Sequence, residues 1–280
     1  MYYKAYGIIK TLAPLHVGAA AGEEAGNLNL IFRDQFTQTG IIPGSSIRGR
    51  FRAEMRRSQP GSEQDIYGND ADSENGTTES LVKFEYASLV WLPVFCPGQP
   101  VVWVSCPRLL KRYAIAKGLK DDKGEYLTPP DPYTAPKQLK GKAKQNGNHV
   151  LFFNLGWLEV TIPEKFDWTP WIAETGLQQN QIVVVDNADI GLIHDMALYR
   201  QSRVTLETEQ KKVDEGKFFG AEALPEGSVM IFPVAIKESE EQWQPLPAND
   251  STVYLGGLES IGFGRCEVKF GGEYFQQEAV

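Results

Sequence analysis

Residues 15–57, LHVGAAAGEEAGNLNLIFRDQFTQTGIIPGSSIRGRFRAEMRR, constrain the fold more than any other part of the chain. A loop of small residues leads to a short apolar segment, a Pro-Gly-Ser-Ser turn and a helical pattern. Apolar residues recur every four positions from Ile47 to Met55, which predicts an amphipathic helix with Ser45 and Ser46 as N-cap residues. A helix N-terminus offers free backbone N–H groups and the positive end of a dipole. The turn is therefore predicted to suit a phosphate.

The same predicted helix carries a basic stripe formed by Arg48, Arg52 and Arg56. The whole chain has a formal net charge of −8. This charge excludes a protein that coats nucleic acid with its entire surface, but it permits a localised basic groove. The alternative is that the arginines form a solvated helix face, which is the usual state of a basic helix.

Composition places the chain among globular proteins. Its 280 residues, 42% of them hydrophobic, are enough for one large core with insertions. Cys96, Cys106 and Cys266 form no CxxC pair, so neither a zinc site nor a disulfide framework is predicted. Lys4 and Lys10 interrupt the apolar start, which therefore resembles neither a signal peptide nor a membrane span. We expect a cytoplasmic protein without a membrane partner.

Strand and helix patterns alternate along the chain and predict an α+β fold with an antiparallel sheet in a single domain over residues 1–280. A helix is predicted to begin at Pro107, since proline is tolerated in a first turn. Residues 61–80 and 120–149 are predicted to be surface insertions because they are polar and rich in glycine or proline. The first is expected to contribute nothing to the core. Predicted strands cover residues 3–12, 30–32, 81–94, 101–104, 182–185, 229–236, 253–255 and 266–270.

Four glycines lie close together near the C-terminus, in the segment GGLESIGFGRC at residues 256–266. Glycine permits unusual backbone angles and the close approach of another backbone, so the segment could form a wall against a ligand strand. The alternative is a pair of tight turns that close a sheet.

Separated segments of the chain resemble the RAMP superfamily, the RNA-binding subunits of CRISPR effector complexes. They are LHVG with the pair Arg33 and Asp34, then IPGSSIRGRFR at residues 42–52 and GGLESIGFGR at residues 256–265. Residues 88–113 and 181–228 are similar to the backbone subunit of Cmr-type (type III-B) complexes. The resemblance implies a ferredoxin-like or RRM-like palm with a projecting thumb hairpin, to be sought within residues 186–218.

The resemblance also implies partners and contacts. The partners would be a guide crRNA, a target RNA, other copies of the chain and other type III effector subunits. The guide would be held by phosphate and sugar, since its sequence changes from one complex to the next. For His16 and for the thumb wedge residues Met196, Leu198 and Tyr199, a purely structural role is the alternative. The implied RNA-binding residues are His16, Gly44, Ser45, Ser46, Arg48, Arg50, Arg52, Arg200, Arg203, Gly262 and Gly264.

Cleaving members of the family need an acidic residue in the loop after the LHVG-like motif. Asn27 and Asn29 stand in this region, and asparagine carries no negative charge. Glu23, Glu24 or Asp34 could replace the acid, although we favour solvation of the loop for both glutamates. Asp34 is likewise interpreted as orienting Arg33. No tightly bound cofactor is expected, and Mg²⁺ or Mn²⁺ would be required only if cleavage occurs.

Three functional hypotheses follow from the sequence. The favoured one is a guide-RNA-binding backbone subunit that positions target RNA without cutting it. The second is an active metal-dependent endoribonuclease that cuts the target at regular intervals with a relocated acid. The third is a guide-processing nuclease acting alone, which would need a histidine-centred site. His16, His149 and His194 are widely separated along the chain, so the third hypothesis has the least support.

Overall fold

The computed structural model describes residues 1–19, 28–69, 76, 78–154, 156–206, 213–239, 242–246 and 251–276. The helices are α1 (Gly44–Ser58), α2 (Glu63–Tyr67), α3 (Pro107–Lys117), α4 (Thr169–Ile172), α5 (Ile190–Ala197) and α6 (Glu273–Gln276). The strands are β1 (Tyr2–Thr11), β2 (Leu28–Asn29), β3 (Ile41–Ile42), β4 (Val82–Phe84), β5 (Ala87–Cys96), β6 (Gln99–Ser105), β7 (Lys142–Ala143), β8 (His149–Phe153), β9 (Gly156–Val160), β10 (Ile182–Val184), β11 (Tyr199–Leu206), β12 (Val213–Ala223), β13 (Val229–Lys237), β14 (Thr252–Tyr254) and β15 (Arg265–Gly272).

The main sheet has the strand order β10-β6-β5-β13-β1-β15-β14, with β3 paired to β5 and β4 paired to β13. Its centre, β15-β1-β13-β5, is antiparallel throughout, and α1 connects the first and second of these strands along the chain. This is the strand arrangement of a ferredoxin-like unit, in which the third and fourth strands flank the first. The predicted α+β fold is confirmed.

Both faces of the main sheet are buried. Side chains alternate along each strand, so neighbouring residues pack into different apolar clusters. Ile9 belongs to the apolar cluster that contains Phe51 of α1, whereas Ile8 belongs to the cluster that contains Leu110 of α3. On the α1 side, the ring of Phe232 lies over Gly7, where an added Cβ would stand 2.1 Å from the ring. The sheet is therefore a central layer with α1 and α3 on opposite sides.

A long excursion, residues 97–228, separates β5 from β13 and carries every strand of the two smaller sheets except β2. One of these sheets has the order β7-β8-β9, and the other has the order β11-β12-β2. The antiparallel pair of β11 and β12 is a hairpin whose tip, residues 207–212, lies outside the described residues. In the parallel pair of β12 and β2, Asn29 lies opposite Ala221. The hairpin base thus adjoins the segment around Asn29, where the sequence predicts that target cleavage would take place if it occurs.

Residues 61–80 contradict the expectation of a segment without core residues. They include α2, in which Ile66 and Tyr67 are fully buried. The hydroxyl of Tyr67 accepts a hydrogen bond of 2.9 Å from the indole N–H of Trp243. Residues 120–149 also contribute to the core, through Ala135 and Leu139. The apolar residues in these segments have no regular spacing, so the sequence gives no periodic signal for their burial.

The start of α1 also differs from the prediction. The helix begins at Gly44, directly after Pro43, and no side chain caps it. Ser45 and Ser46 instead lie exposed within the first turn, so their assignment as N-caps is wrong. A Cβ on Gly44 would stand 2.5 Å from the Phe84 carbonyl oxygen, so this glycine is required for packing against the main chain after β4. Among the described residues, no helix is long and apolar enough to cross a membrane.

Candidate nucleic-acid interface

A groove of about 410 Å³ separates α1 from a glycine turn at residues 256–257. We call it the α1 groove. Ser46, Gly49 and Ala53 recur on one side of the helix at a spacing of three to four residues, so a stripe of small side chains faces the turn. The groove is lined by Val17, Gly18, Ser46, Gly49, Arg50, Ala53, Tyr254, Gly256, Gly257 and Glu259. Its walls therefore expose main chain that an extended ligand can approach closely.

The glycine turn is fixed by the main chain of His16. The N–H of Gly257 donates to the His16 carbonyl oxygen over 2.9 Å. Gly256 has a φ of +75°, and a Cβ there would stand 2.2 Å from the same oxygen. A Cβ on Gly257 would meet no atom within 4 Å. Gly256 is thus required for the turn itself, whereas Gly257 leaves open space in the groove.

Arg50 is the arginine that lines the α1 groove, and its charge is balanced. Its guanidinium forms an ion pair with Glu54 on the next turn of α1, and a second one with Glu259, 3.4 Å away across the groove. The Arg50 side chain is 20% exposed. The groove consequently combines small residues with a guanidinium held in place by two carboxylates.

The other predicted arginines of α1 point elsewhere. Arg48 donates a hydrogen bond to the Tyr67 carbonyl oxygen, and Arg52 is buried. Neither residue lines the α1 groove. Of the three implied RNA-binding arginines on α1, Arg50 is therefore the one that lies in the groove. Two arginines of the basic stripe, Arg48 and Arg52, therefore make contacts within the protein instead of lining the groove.

Of the four C-terminal glycines, only Gly256 and Gly257 reach the groove. The N–H of Gly264 donates to the Pro14 carbonyl oxygen over 2.8 Å, and a Cβ on Gly264 would stand 2.4 Å from the Leu255 carbonyl oxygen. Gly262, with a φ of +94°, ends a short 3₁₀ helix. Gly262 and Gly264 therefore lie in tight turns and not in a wall of the groove.

His16 is a buried structural hydrogen bonder behind the α1 groove. Its Nδ1–H donates to the Glu222 carbonyl oxygen over 2.6 Å, and its own carbonyl oxygen holds Gly257. Its Nε2 atom lies 3.2 Å from the position of an added Cβ on Gly18, which lines the groove. His16 therefore joins the glycine turn to the hairpin base.

Behind His16 lies a group of charges that we call the arginine–carboxylate cluster: Arg33, Arg200, Asp195 and Glu222. The two arginines stand out in the sequence, whereas the two acids do not. The buried Glu222 carboxylate binds Arg33 at 2.9 Å and Arg200 at 3.1 Å. Arg33 also binds Asp195, and Arg200 donates to the Asp195 carbonyl oxygen over 3.0 Å. Burial opposes the charge of Arg33, but its hydrogen bonds to Glu222 and Asp195 outweigh that cost and raise its pKa above the ordinary value.

The cluster continues into His194, whose ring is completely buried in α5. Its Nε2 atom accepts the Gly40 N–H over 2.9 Å, so the neutral ring carries its proton on Nδ1. That atom lies 3.7 Å from the Asp195 carboxylate. Burial, reinforced by the nearby positive charge of Arg33, lowers the pKa of His194 to about 4. His194 therefore fixes the 33–40 loop to α5 as a neutral group.

Asp34 does not orient Arg33, and that interpretation is wrong. One Asp34 carboxylate oxygen accepts hydrogen bonds from the N–H groups of Phe36 and Thr37 and from the Thr37 hydroxyl. Asp34 thus closes its own turn, while Glu222 and Asp195 orient Arg33. Both acids lie more than 160 residues from Arg33 in the sequence. The only local sign in the sequence that Glu222 is buried is its position between two alanines, Ala221 and Ala223.

The described residues around Asn29 offer no acid for metal chemistry. Asn29 lies in β2, and Asn27, Glu23 and Glu24 lie outside the described residues. Glu222 follows the strand partner of Asn29, but two arginines neutralise its carboxylate. Within the described ranges, no three His, Cys, Asp or Glu side chains lie close enough together to hold a metal ion. These residues therefore do not fit Mg²⁺ or Mn²⁺.

The candidate thumb residues lie on the described part of the hairpin and in the helix before it. Arg200 is half exposed and anchored to the cluster, and the backbone of Arg203 pairs opposite Phe219. Leu198 is buried, as the alternative of core packing predicted. Tyr199 is exposed at one edge and packs edge-on against Phe263, with ring centroids 5.9 Å apart.

A ferredoxin-like sheet, a helix facing a glycine turn and a hairpin anchored beside them together define an α+β class of proteins with a main-chain-lined groove. Within this class, the chain belongs to the RAMP superfamily, whose family model matches residues 8–267. The resemblance recognised from the sequence is thereby confirmed.

Solved structures of similar fold span nearly the whole chain. One, described as the type III-B Cmr-beta bound to cognate target RNA, is 20% identical with a TM-score of 0.73, covering 96% of this chain and 98% of that chain. Another, oligomeric Cmr4 from Pyrococcus furiosus, is 15% identical with a TM-score of 0.65, covering 97% of this chain and 99% of that chain. At these identities, the similarity establishes the fold. No curated protein matches the sequence.

Proposed function

We propose that this chain is a guide-RNA-binding backbone subunit of a type III CRISPR interference complex. Several copies bind along one crRNA, position the target RNA beside it and contact other effector subunits, in the cytoplasm. Membership of the RAMP superfamily and similarity to subunits of type III-B complexes support this function. The main structural support is the α1 groove, because residues from the motifs at 42–52 and 256–265, which are far apart in the sequence, line it together.

The chemistry of the α1 groove fits a ligand held by its phosphates and sugars. Gly49, Gly256 and Gly257 expose main chain on both sides, and Ser46 adds a hydroxyl at the first turn of α1. Arg50 supplies a guanidinium for a phosphate. None of these groups distinguishes one base from another, which suits a guide of variable sequence.

The test compares Gly49→Glu with Gly49→Gln, measuring crRNA retention by the full-length chain at several salt concentrations. A Cβ on Gly49 would meet no atom within 4 Å, so both variants should fold. Both fill the groove to the same extent, but only glutamate repels phosphate. We expect roughly tenfold weaker binding for Gly49→Glu than for Gly49→Gln at low salt, a gap that narrows as salt rises.

Guide sequence and a second variant pair complete this design. The loss should be the same for guides of unrelated sequence, and Arg50→Ala should weaken retention more than Arg48→Ala. Equal affinities of Gly49→Glu and the parent chain would refute the α1 groove as the guide site. A loss confined to one guide sequence would contradict binding through phosphates and sugars.

We also propose that the chain positions target RNA without cutting it and binds no cofactor tightly. The neutralised Glu222 and the absence of a metal-binding cluster from the described ranges support this part of the proposal. The alternative is a metal-dependent endoribonuclease that uses Glu23 or Glu24. Labelled complementary target RNA, added to the assembled complex with Mg²⁺ or Mn²⁺, distinguishes the two. Regularly spaced cuts that disappear in a Glu23→Ala/Glu24→Ala variant would establish the alternative.

A further inference from the structure

A second and larger groove, of about 1140 Å³, lies between α3 and the end of the main sheet. We call it the α3 groove. It shares no lining residue with the α1 groove. Seven lysines and arginines line it among the described residues, against three carboxylates. This local excess of positive charge stands on a chain whose net charge is −8.

Several of these positive charges form no ion pair with a carboxylate of the described residues. Lys83 is paired with Glu79, Arg112 with Glu85 and Lys117 with Glu174. The others, Lys4, Arg108, Lys111 and Lys120, are exposed and form no ion pair with any described carboxylate. Two of the three lining carboxylates are themselves engaged, Asp34 in its own turn and Glu85 with Arg112. The groove therefore offers unbalanced positive charge to a ligand.

Aromatic rings stand beside these charges. Phe36 is 72% exposed, with the guanidinium of Arg108 5.1 Å from its ring centroid. Lys120 lies 5.3 Å from the ring centroid of the exposed Tyr126. Exposed rings beside cations are the features that bind single-stranded nucleic acid, since bases stack on the rings and phosphates meet the cations. Without such a ligand, the exposed ring of Phe36 leaves apolar surface in contact with water.

The floor of the α3 groove continues the positive surface. Ala235 of β13 lies opposite Lys4 on one neighbouring strand and opposite Lys83 on the other. The three residues form one row across the sheet, because directly opposite residues share a face. The small alanine leaves space between two lysines. This row gives the groove a basic floor about two strand spacings wide, roughly 10 Å.

One end of the α3 groove is formed by Asp34, Phe36, Thr37 and Thr39, the loop that follows Arg33. Arg33 anchors this loop to the hairpin base beside β2. We propose that the α3 groove binds single-stranded RNA without sequence preference, as a second RNA site on the other side of this loop. This inference rests on the proposed function, in which the chain positions a target RNA as well as binding the guide.

The experiment measures binding of a labelled 20-nucleotide oligouridine to the full-length chain, in the parent and in a Gly49→Glu background that blocks the α1 groove. In that background, adding Arg108→Glu and Lys111→Glu should weaken the remaining binding at least about tenfold and make its salt dependence shallower. Adding Phe36→Ala instead, which leaves the charge unchanged, should weaken it about three- to tenfold. Glutamate at position 108, in the first turn of α3, favours the helix.

The matched control is Lys140→Glu with Lys142→Glu, two exposed lysines outside the groove. The control should change binding by less than about twofold. If the α3 variant retains the binding left by Gly49→Glu, the inference is refuted while the guide site stands. If Gly49→Glu alone changes nothing but the α3 variant abolishes binding, the guide site fails and the inference stands. An altered oligomeric state with unchanged RNA affinity would make the groove a protein interface and overturn the inference.

Discussion

The two grooves are constructed in opposite ways. The α1 groove consists of glycines and small residues, and its arginine is paired with Glu54 and Glu259. The α3 groove exposes four charges that form no ion pair with any described carboxylate, next to an exposed phenylalanine. Behind the α1 groove, His16 and the arginine–carboxylate cluster are buried or partly buried and bonded to one another.

This difference separates structural roles from binding roles. Groups that are already paired inside the protein stabilise the fold, and replacing one of them leaves its partner without a hydrogen bond or an opposite charge. Groups without an internal partner contribute little to stability and remain available to a ligand. Substitutions of Gly256 and of the paired groups behind the α1 groove should therefore alter stability first, while substitutions in the α3 groove should alter binding alone.

The largest effect is expected at the glycine turn, from Gly256→Ala. The new Cβ would stand 2.2 Å from the His16 carbonyl oxygen at a φ of +75°, so the turn must move. We expect the free energy of unfolding to fall by about 3 kcal/mol or more, with loss of crRNA binding. Chemical denaturation measures the first effect. Gly257→Ala, whose Cβ is unobstructed, is the control and should cost less than about 1 kcal/mol.

The next largest effect is expected from Glu222→Gln. This change leaves Arg33 and Arg200 without their shared carboxylate while preserving the side-chain shape. Because both arginines are partly exposed, we expect a loss of about 2–3 kcal/mol in the free energy of unfolding, below the range for a fully buried pair. Glu259→Gln breaks an exposed pair with Arg50 and should cost less than about 1 kcal/mol. Equal losses in the two variants would contradict the distinction between the buried carboxylate behind the α1 groove and the more exposed one that lines it.

A smaller, pH-dependent effect is expected from His194. Its pKa in the folded protein is about 4, below the value of about 6.5 for an unfolded histidine. The unfolded state therefore binds more protons between these values, so stability is complete above pH 6.5 and is lost as the pH falls toward 4. This group alone should lower the free energy of unfolding by about 2 kcal/mol at pH 5 relative to pH 7.

The variant His194→Gln isolates this effect. Glutamine at position 194 can still accept the Gly40 N–H, but it does not titrate. Unfolding measured from pH 7 to pH 5 should show a shallower loss of stability for His194→Gln than for the parent. The same loss in both proteins would show that another group is responsible.

Much of the framework could be predicted from periodic patterns. The strand at residues 3–12, the helix from Pro107 and the strand at residues 229–236 carry strong local signals, and each one is present. The core position of Ile66 and Tyr67 could not be predicted, because they are two apolar residues in an acidic segment and the Trp243 they approach is distant. The exposed serines of the first helical turn show the same limit, since Pro43 rather than a serine occupies the N-cap position of α1.

The sequence by itself determined the family, the α+β class and the two segments, around residues 44–52 and 256–265, that carry the resemblance. Those features depend on local patterns and on the glycines that their turns require. Only the tertiary structure decided that Arg50 rather than Arg48 lies in the groove and that Glu222 rather than Asp34 orients Arg33. The reason is physical: the direction of a charged side chain depends on the partners that folding brings near it, and those partners lie far away in the chain.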